Sequence, residues 1–352
     1  MKNLSELDGD LINSWYIAAL VDEVRDKPVR RVIYDTPYVL FRDEKSQVRV
    51  FLDRCVHRGT QLSLGKCEKG GIRCPYHGWK FDGDGRLVEV PSNSKASTIP
   101  KDWKLKSPPQ VIQDGCVWIW PSHTEPPELP RWRFPFYGEK NWAQYFMTTD
   151  FDNEVTHLVQ NFMDVPHTVF VHDKWFRKQK QICVPVSIDV SAGRVKVTYH
   201  QKNDSIGFTS RLLNPTNKPM IHTDEYIFPN LTRVDYIFGD HQFIINSQCT
   251  PITRYKTRVY TWICYNIGAL TNLLKPFLRF YTRQVIEQDV DIMKNQGSNL
   301  KQFEEKNLPM QKFYSSAADE MHLAIDRMRE HGRSDRKSVY DFAFSKEREL
   351  WI

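Results

Sequence analysis

The chain has 352 residues, a length that suits one large domain or two medium-sized ones. Its 40% hydrophobic and 13% aromatic residues can form buried cores, which excludes a wholly disordered chain. The net charge of +6 comes from basic residues dispersed among acidic ones, so the sequence does not indicate a nucleic-acid-binding face. A mildly basic surface that docks an acidic partner protein is compatible with the same charge.

The N-terminal segment MKNLSELDGDLINSWYIAAL has no cationic region followed by an apolar core, so we expect no signal peptide. No apolar run approaches the roughly 18 residues that a membrane-spanning helix needs. The seven cysteines are an odd number and are thinly spread outside one stretch, which argues against a disulfide framework. We therefore expect a cytoplasmic protein with reduced thiols.

Short strands and turns are predicted from about residue 14 to residue 120. Apolar and polar residues alternate in RRVIYDTPYVLFRDE and QVRVFLDRC, which is typical of strands. A hairpin is predicted at GDG, 83–85, and a buried strand at GCVWIWPS. Five prolines between 121 and 135 then indicate a linker. We place the boundary near Glu125, which gives domains 1–125 and 126–352.

The second domain mixes helical and strand-like patterns. EVTHLVQNFMDVPHTVFVH is helical in its first half, and VSIDVSAGRVKVTYHQ, HTDEYIFPNLTRVDYIFG, QFIINSQCTPIT and TRVYTWICYNIG resemble hairpin strands. Helical periodicity returns at 274–296 and at 315–330, where we expect Gly332 to end the helix. In the last helix Ala318, Met321, Ile325 and Met328 are in register, which predicts packing. The fold class is α+β, an all-β domain followed by an antiparallel sheet flanked by helices.

Two matched pairs of metal-ligating residues lie in the first domain, Cys55-x-His57 and Cys74-x-x-His77. Two thiolates suit one iron, and two imidazoles on a second iron are what raises the potential of a [2Fe–2S] centre of the Rieske type. Zinc is an alternative, although zinc fingers usually keep like ligands together. A further alternative is two buried thiols with two surface histidines. Cys67 lies between the pairs and is predicted to be a small buried or half-buried thiol.

A second group of candidate ligands lies in HLVQNFMDVPHTVFVHD. On an ideal helix Asn161, Asp164 and His167 step by about −60° each and share one face. His172 follows His167 at about 140°, too far round for chelation by one regular helix, so Pro166 and the β-branched residues after it predict a bend. Two histidines and one carboxylate form the usual non-haem Fe(II) oxygenase site, and the carboxylate must come from elsewhere.

The late helical segment RQVIEQDVDIMKNQ contains three candidate carboxylates. Asp289 lies on an apolar stripe, where an unpaired carboxylate is costly. Asp291 instead stacks with Glu287 and Lys294 on a solvated face. We therefore choose Asp289 as the third ligand; its stripe consists of Val285, Ile292 and Gln296.

The other histidines of the second domain are weaker candidates. His157 lies one helical turn before Asn161, and we predict that it supports a ligand or the fold rather than binding metal. The remaining three lie in strand-like segments and are predicted to form surface or pocket hydrogen bonds: His200, His222 and His241.

Both groups match patterns of a known family. CVHRG…CPYHGWKFD resembles the Rieske signature C-x-H-x15–17-C-x2-H, and SWYIAAL before it resembles the entry to Rieske domains of oxygenases. NFMDVPHTVFVH is similar to the Asn-x2-Asp-x2-His-x4-His element of Rieske non-haem iron oxygenases, and QDVDIMKNQ resembles their late (E/Q)D-x2-(I/V)-x3-Q segment. The resemblance covers residues 15–296.

The resemblance implies two cofactors, a Rieske [2Fe–2S] cluster and one mononuclear Fe(II). It implies that Cys55 and Cys74 bind one cluster iron and that His57 and His77 bind the other. It also implies that His167, His172 and Asp289 bind the mononuclear iron. The candidate catalytic residues are Asn161 and Asp164; in the family, the aspartate that matches Asp164 links a cluster histidine of the neighbouring subunit to an iron-binding histidine, here His77 to His167.

The resemblance further implies an oxygenase (alpha) component of the monooxygenase and demethylase-like branch, acting as a homotrimer. It would hydroxylate or oxidatively demethylate a small, largely apolar or aromatic molecule with O₂, using NAD(P)H electrons from a separate reductase or ferredoxin. Dihydroxylation stays open. The substrate pocket is expected around Phe162, Ile206, Phe208 and the strands near 243–249. The alternative is a Rieske-type electron-transfer or iron-sensing protein without oxygenase activity.

Overall fold

The structure, a computed structural model, describes residues 4–94, 98–172, 182–200, 214, 218–309 and 312–351. The chain divides into two compact units. The first contains Ile12–Arg133 and the residues up to Leu7, and the second contains Asp8–Leu11 and the residues from Phe134 onward. The domain boundary near Glu125 stays a prediction.

The described part of the first unit contains ten short strands in three antiparallel sheets, ordered β1-β10-β9, β2-β3-β4 and β5-β6-β7-β8. A short helix, α1, spans Leu4–Asp8. The strands are β1 (Tyr16–Leu20), β2 (Val29–Ile33), β3 (Thr36–Arg42), β4 (Val48–Leu52), β5 (Lys66–Glu68), β6 (Gly71–Arg73), β7 (Lys80–Phe81), β8 (Leu87–Glu89), β9 (Gln110–Gln113) and β10 (Cys116–Ile119). The all-β prediction for this part of the chain is confirmed.

Strand β3 separates two apolar cores, which explains its uninterrupted apolar run. Successive side chains of a strand point to opposite faces, so Tyr38 and Leu40 pack in one core while Val39 and Phe41 pack in the other. The second core also contains the thiols of Cys55 and Cys74. The predicted hairpin is confirmed as well, with β7 and β8 joined by the turn that contains GDG.

The second unit is built on one antiparallel sheet of eight described strands, ordered β11-β17-β16-β15-β14-β13-β12-β18. Its strands are β11 (Ala143–Phe151), β12 (Cys183–Ser191), β13 (Arg194–Tyr199), β14 (Met220–Ile227), β15 (Leu231–Phe238), β16 (His241–Thr253), β17 (Lys256–Asn266) and β18 (Phe344–Trp351). The helices are α2 (Val155–Met163), α3 (Thr168–Val171), α4 (Lys275–Glu305) and α5 (Glu320–Ser334). This is the α+β architecture that the sequence predicts.

Helix α5 packs on the inner face of this sheet. Met321, Ile325 and Met328 are fully buried in the largest core, together with the inward valines of β12 and β13, so the packing prediction is confirmed. The expectation that Gly332 ends the helix is wrong, because α5 continues to Ser334. A Cβ atom at Gly332 would lie 2.4 Å from Cε2 of Phe228, so the ring of Phe228 requires glycine at this position.

The start of α5 is tied to the last strand. The carboxylate of Glu320 accepts hydrogen bonds from Lys346 and, at 2.9 Å, from Arg348 Nη2. The hydrogen bond from Lys346 lowers the pKa of Glu320, against burial, which would raise it; Arg348 adds to the lowering. Among the described residues no helix is both long enough and apolar enough to cross a membrane.

Candidate metal sites

The first candidate site lies on two loops of the same design. The carbonyl of Cys55 accepts a hydrogen bond from Gly59 N at 2.9 Å, and that of Cys74 accepts one from Gly78 N at 3.2 Å. Each loop is closed by a glycine with positive φ, +77° at Gly59 and +70° at Gly78. Such values strain any residue with a Cβ, so the glycines allow both loops to turn sharply within two residues of the histidine positions.

The four candidate ligands converge at the tips of these loops. The rings of His57 and His77 have centroids 4.6 Å apart, and Trp79 stacks on His57 at 4.3 Å. The thiols of Cys55 and Cys74 are buried and hydrogen-bonded to each other. Backbone N–H groups of His57 and Arg58 also hydrogen-bond to the Cys55 sulfur.

Burial favours the neutral forms of two candidate ligands of this site. Burial raises the pKa of the Cys55 thiol to about 11, and the adjacent Cys74 adds to the rise. Burial also lowers the pKa of His57, helped by the charges of His77 and Arg58, which favours the neutral imidazole that ligates metal. His57 Nδ1 is buried with no hydrogen-bond partner. Two thiols and two imidazoles with an unused ring nitrogen fit a Rieske [2Fe–2S] cluster.

The cysteines other than Cys55 and Cys74 are not part of this arrangement. Cys67 is half-buried, as predicted. All seven cysteines lie within the described residues and are free thiols in the structure.

The second candidate site forms where α2 breaks. Helix α2 ends at Met163, and Asp164 is extended, with φ −92° and ψ 91°. The chain re-enters a helix at Thr168, so the bend predicted around Pro166 is confirmed. The expectation that Asn161, Asp164 and His167 share one helical face is wrong, because only Asn161 belongs to α2.

This break brings both histidines to the carboxylate of α4. His167 Nε2 lies 3.3 Å from His172 Nε2, and Asp289 Oδ1 lies 3.4 Å from the first nitrogen and 3.3 Å from the second. Donors about 2.1 Å from one ion, at angles between octahedral and tetrahedral, are separated by about 3.0–3.4 Å. The three atoms are therefore spaced as ligands of a single ion, and they are the one such group found among the described residues. Two histidines and a carboxylate fit non-haem iron.

Three further side chains contact this triad. Gln288 Oε1 lies 2.9 Å from His172 Nδ1, and Asn161 Nδ2 donates to Asp289 Oδ1 at 3.2 Å. Asp164 Oδ2 lies 3.8 Å from His167 Nδ1, which is buried and lacks a hydrogen-bond partner. Gln288 is a functional contact that the sequence reasoning missed, although its place beside Asp289 could have indicated it.

The triad is strongly coupled electrostatically. Burial would raise the pKa of Asp289, but hydrogen bonds from His167 and His172 outweigh it and lower that pKa to about 2. Burial would lower the pKa of His167, but Asp289 and Asp164 outweigh it and raise that pKa. The carboxylate is therefore ionised and available to a cation. Burial raises the pKa of Asp164 itself.

The stripe around Asp289 differs from the predicted one. Met293 and Gly297 are buried on the Asp289 side of α4, whereas Ile292 is exposed, so its assignment to the core face is wrong. Asp291 is exposed, as expected. His157 stands apart from the triad contacts and lies beside Phe313, with ring centroids 6.5 Å apart.

A cavity of about 140 Å³ adjoins the triad. This volume is close to that of an engineered cavity of about 150 Å³ that holds benzene, so one aromatic ring fits. Phe162 and the strand near 243–249 do line it, as predicted, whereas Ile206 and Phe208 lie outside the described residues. The lining is mainly apolar and includes Phe151, Phe162, Val165, Val234, Ile245 and Ile286.

Comparison with known families gives one match for each unit. Residues 14–108 match the family described as "Rieske [2Fe-2S] domain". Residues 152–339, more than half of the chain, match "Vanillate O-demethylase oxygenase C-terminal domain". The first match contains both Cys/His loops, and the second contains the triad.

Two of the curated relatives are similar over about half of the chain. The oxygenase component of dicamba O-demethylase from Stenotrophomonas maltophilia is 35% identical over 181 residues, 49% of this chain and 52% of that protein. Chlorophyllide a oxygenase from Chlamydomonas reinhardtii is 33% identical over 51% of this chain and 27% of its own length. The chain thus spans only a quarter to a half of these relatives. Aminopyrrolnitrin oxygenase PrnD from Pseudomonas fluorescens is 24% identical over 80% of this chain and 83% of its own length.

Solved structures with the same fold cover nearly the whole chain. Dicamba monooxygenase bound to dicamba superposes with a TM-score of 0.78 at 22% identity, over 93% of this chain and 99% of that one. NdmA from Pseudomonas putida CBB5 with caffeine gives a TM-score of 0.74 at 17% identity. At these identities the likeness establishes the fold alone.

Proposed function

The chain belongs to the Rieske oxygenases, as an oxygenase component with a C-terminal domain of the vanillate O-demethylase oxygenase type, and on that premise we propose that it is a terminal oxygenase. It takes electrons from NAD(P)H through a separate reductase or ferredoxin. With O₂ it hydroxylates or oxidatively demethylates a small, largely apolar or aromatic molecule. The observation that carries the proposal is the His–His–Asp triangle beside a cavity that fits one aromatic ring.

We assign the four convergent side chains of the first unit to the [2Fe–2S] cluster: Cys55, His57, Cys74 and His77. We assign His167, His172 and Asp289 to a mononuclear Fe(II). When bound, the cluster supplies single electrons and the iron supplies the open positions at which O₂ is activated. The apolar lining of the cavity orients the substrate and excludes water.

Asn161 and Asp164 have supporting roles in this proposal. Asn161 donates to the Asp289 oxygen that also faces both histidines, so it orients the carboxylate. Asp164 lies beside the unpartnered Nδ1 of His167, where it can hold that ring and connect it to a donor. We propose that the donor is His77 of a neighbouring copy in a cyclic homotrimer, a head-to-tail arrangement that closes into a ring.

The test couples O₂ consumption to product formation. The chain, loaded with iron and cluster and supplied with a reductase and NADH, is screened against methoxy- and methyl-substituted aromatic molecules. We expect O₂ uptake and, for a methoxy substrate, formaldehyde in equal amount, because a hydroxylated O-methyl group collapses to formaldehyde.

A matched pair of variants on α4 identifies the site. Asp289→Ala removes a proposed ligand and should reduce turnover more than about a hundredfold. Asp291→Ala changes an exposed carboxylate two residues away and should leave turnover unchanged. Absence of O₂ uptake with every reductant and substrate, from a protein with its iron in place, would favour an electron carrier or an iron sensor instead.

A further inference from the structure

A buried polar network lies on the cavity wall formed by β14 and β15, apart from the triad. Tyr199, His222 and Tyr236 occupy one cross-strand row, Tyr199 opposite His222 and His222 opposite Tyr236. Their rings stack with centroids 4.3 Å and 4.5 Å apart. His222 and Asp224 are each 1% exposed. Neither residue has a role in the oxygenase chemistry described above.

Asp224 is held by two donors. Tyr199 OH donates to Asp224 Oδ2 at 3.0 Å, and His222 Nε2 lies 3.0 Å from Asp224 Oδ1. An ionised carboxylate only accepts hydrogen bonds and has about four acceptor positions, so these two contacts leave capacity unused. The other ring nitrogen, His222 Nδ1, is buried and has no hydrogen-bond partner.

The position of Asp224 in the sheet makes this carboxylate unusual. Its cross-strand neighbours are Val197 on one side and Val234 on the other. Burial of a carboxylate between valines is costly, and the fixed Tyr199 and His222 donors offset that cost. Asp224, Val234 and Tyr236 line the cavity, so the carboxylate belongs to the wall of the substrate site.

We propose that Asp224 is a recognition residue for a hydrogen-bond donor on the substrate, and that Tyr199 and His222 position it. This inference rests on the proposed function, because it takes the cavity as the substrate site. The substrate class is an aromatic molecule with an amino or hydroxyl group. An aryl carboxylate or sulfonate offers no donor and brings a second anion beside Asp224, and none of the described lining residues is a lysine or an arginine.

Equilibrium binding tests the proposal without turnover. The full-length iron-loaded chain is titrated by calorimetry, in the absence of a reductase, with 4-methoxybenzylamine, 4-methoxybenzyl alcohol and 4-methoxybenzoate. These probes share a ring and a methoxy group and differ only in the polar substituent. We expect the amine and the alcohol to bind at least about tenfold more tightly than the benzoate, the size expected of one charge-assisted hydrogen bond.

Two variants of the cavity wall complete the design. Asp224→Asn should weaken binding of the amine about tenfold or more and strengthen binding of the benzoate. Thr232 also lines the cavity, and Thr232→Val, which replaces its hydroxyl by a methyl group, should keep the order of the probes. The order on the unmodified chain decides the proposal even where Asp224→Asn fails to fold.

Three results would overturn the inference: equal or tighter binding of the benzoate, an unchanged ratio of amine to benzoate affinity in a folded Asp224→Asn variant, or no binding of any probe. Failure of the proposed function has a different signature, because it appears as absent O₂ uptake and leaves this binding order intact.

Discussion

Replacement of Gln288 by leucine should weaken iron binding without removing a proposed ligand. Gln288 Oε1 lies 2.9 Å from His172 Nδ1; with iron bound, it would accept from Nδ1–H and so leave the Nε2 lone pair of His172 for the ion. His172 is 3% exposed, so bulk water cannot readily replace the lost acceptor. Gln288→Leu thus acts on the orientation and basicity of a ligand that is itself unchanged.

The magnitude follows from the cost of the lost hydrogen bond. Removal of the acceptor from a buried donor costs about 1–3 kcal/mol, and loss of a side chain that orients a metal ligand typically reduces affinity about tenfold to a hundredfold. We therefore expect the dissociation constant for Fe(II) to rise about tenfold to a hundredfold. Gln288→Glu keeps an acceptor at the same place and should restore most of the affinity.

The assay is anaerobic Fe(II) titration of protein from which the mononuclear iron has been removed, in competition with a chelator of known affinity. Glu287→Leu is the matched control, because it makes a similar change at the adjacent, exposed position of α4. The absorption spectrum of the cluster should be the same in all variants. Affinity of Gln288→Leu within twofold of the unmodified chain would refute the reasoning.

Two further predictions concern stability. Gly332→Ala should lower the free energy of unfolding, measured by urea denaturation, by about 1–3 kcal/mol, because the new Cβ would lie 2.4 Å from the Phe228 ring. Helix propensity alone predicts a higher free energy of unfolding, and that result would contradict the packing account. Glu320→Gln should cost about 1 kcal/mol at pH 7. The hydrogen bond from Lys346 lowers the pKa of Glu320 in the folded chain below its usual value of 4.5. The stabilising contribution of this carboxylate is therefore present above pH 4.5 and is lost as the pH falls through the folded pKa. The free energies of unfolding of the unmodified chain and the variant should converge in acid, and a difference that stays constant with pH would contradict this.

The parts of the sites that lie close together in sequence could be predicted. Two Cys/His loops with a glycine after each pair are local designs, and the structure brings their tips together. The two histidines five residues apart required a break in the helix, and Pro166 indicated it. The placement of Asp164 and His167 on one helical face with Asn161 was wrong, because the helix ends at Met163.

Apart from the choice of Asp289 as the third ligand, contacts between distant segments could not be predicted. Asn161 meets Asp289 across 128 positions of sequence, and that pairing depends on how α2 and α4 pack. The Asp224 network depends on the register of β13, β14 and β15. Alternation of apolar and polar residues predicts the sheet face on which a side chain lies, but not its partner on the next strand. The stripe on α4 was misassigned at Ile292 because the buried face follows positions four and eight residues after Asp289, Met293 and Gly297, and not the position three residues after it.

The central claim is that one chain holds both a Rieske cluster and a mononuclear iron. The most direct test is the content of iron and acid-labile sulfide per chain, with an EPR spectrum of the dithionite-reduced protein. About three irons and two sulfides, with a Rieske-type signal, are predicted from one [2Fe–2S] cluster and one further iron. Two irons and two sulfides, with no third iron taken up from added Fe(II), would contradict the oxygenase assignment, and zinc without sulfide would contradict both sites.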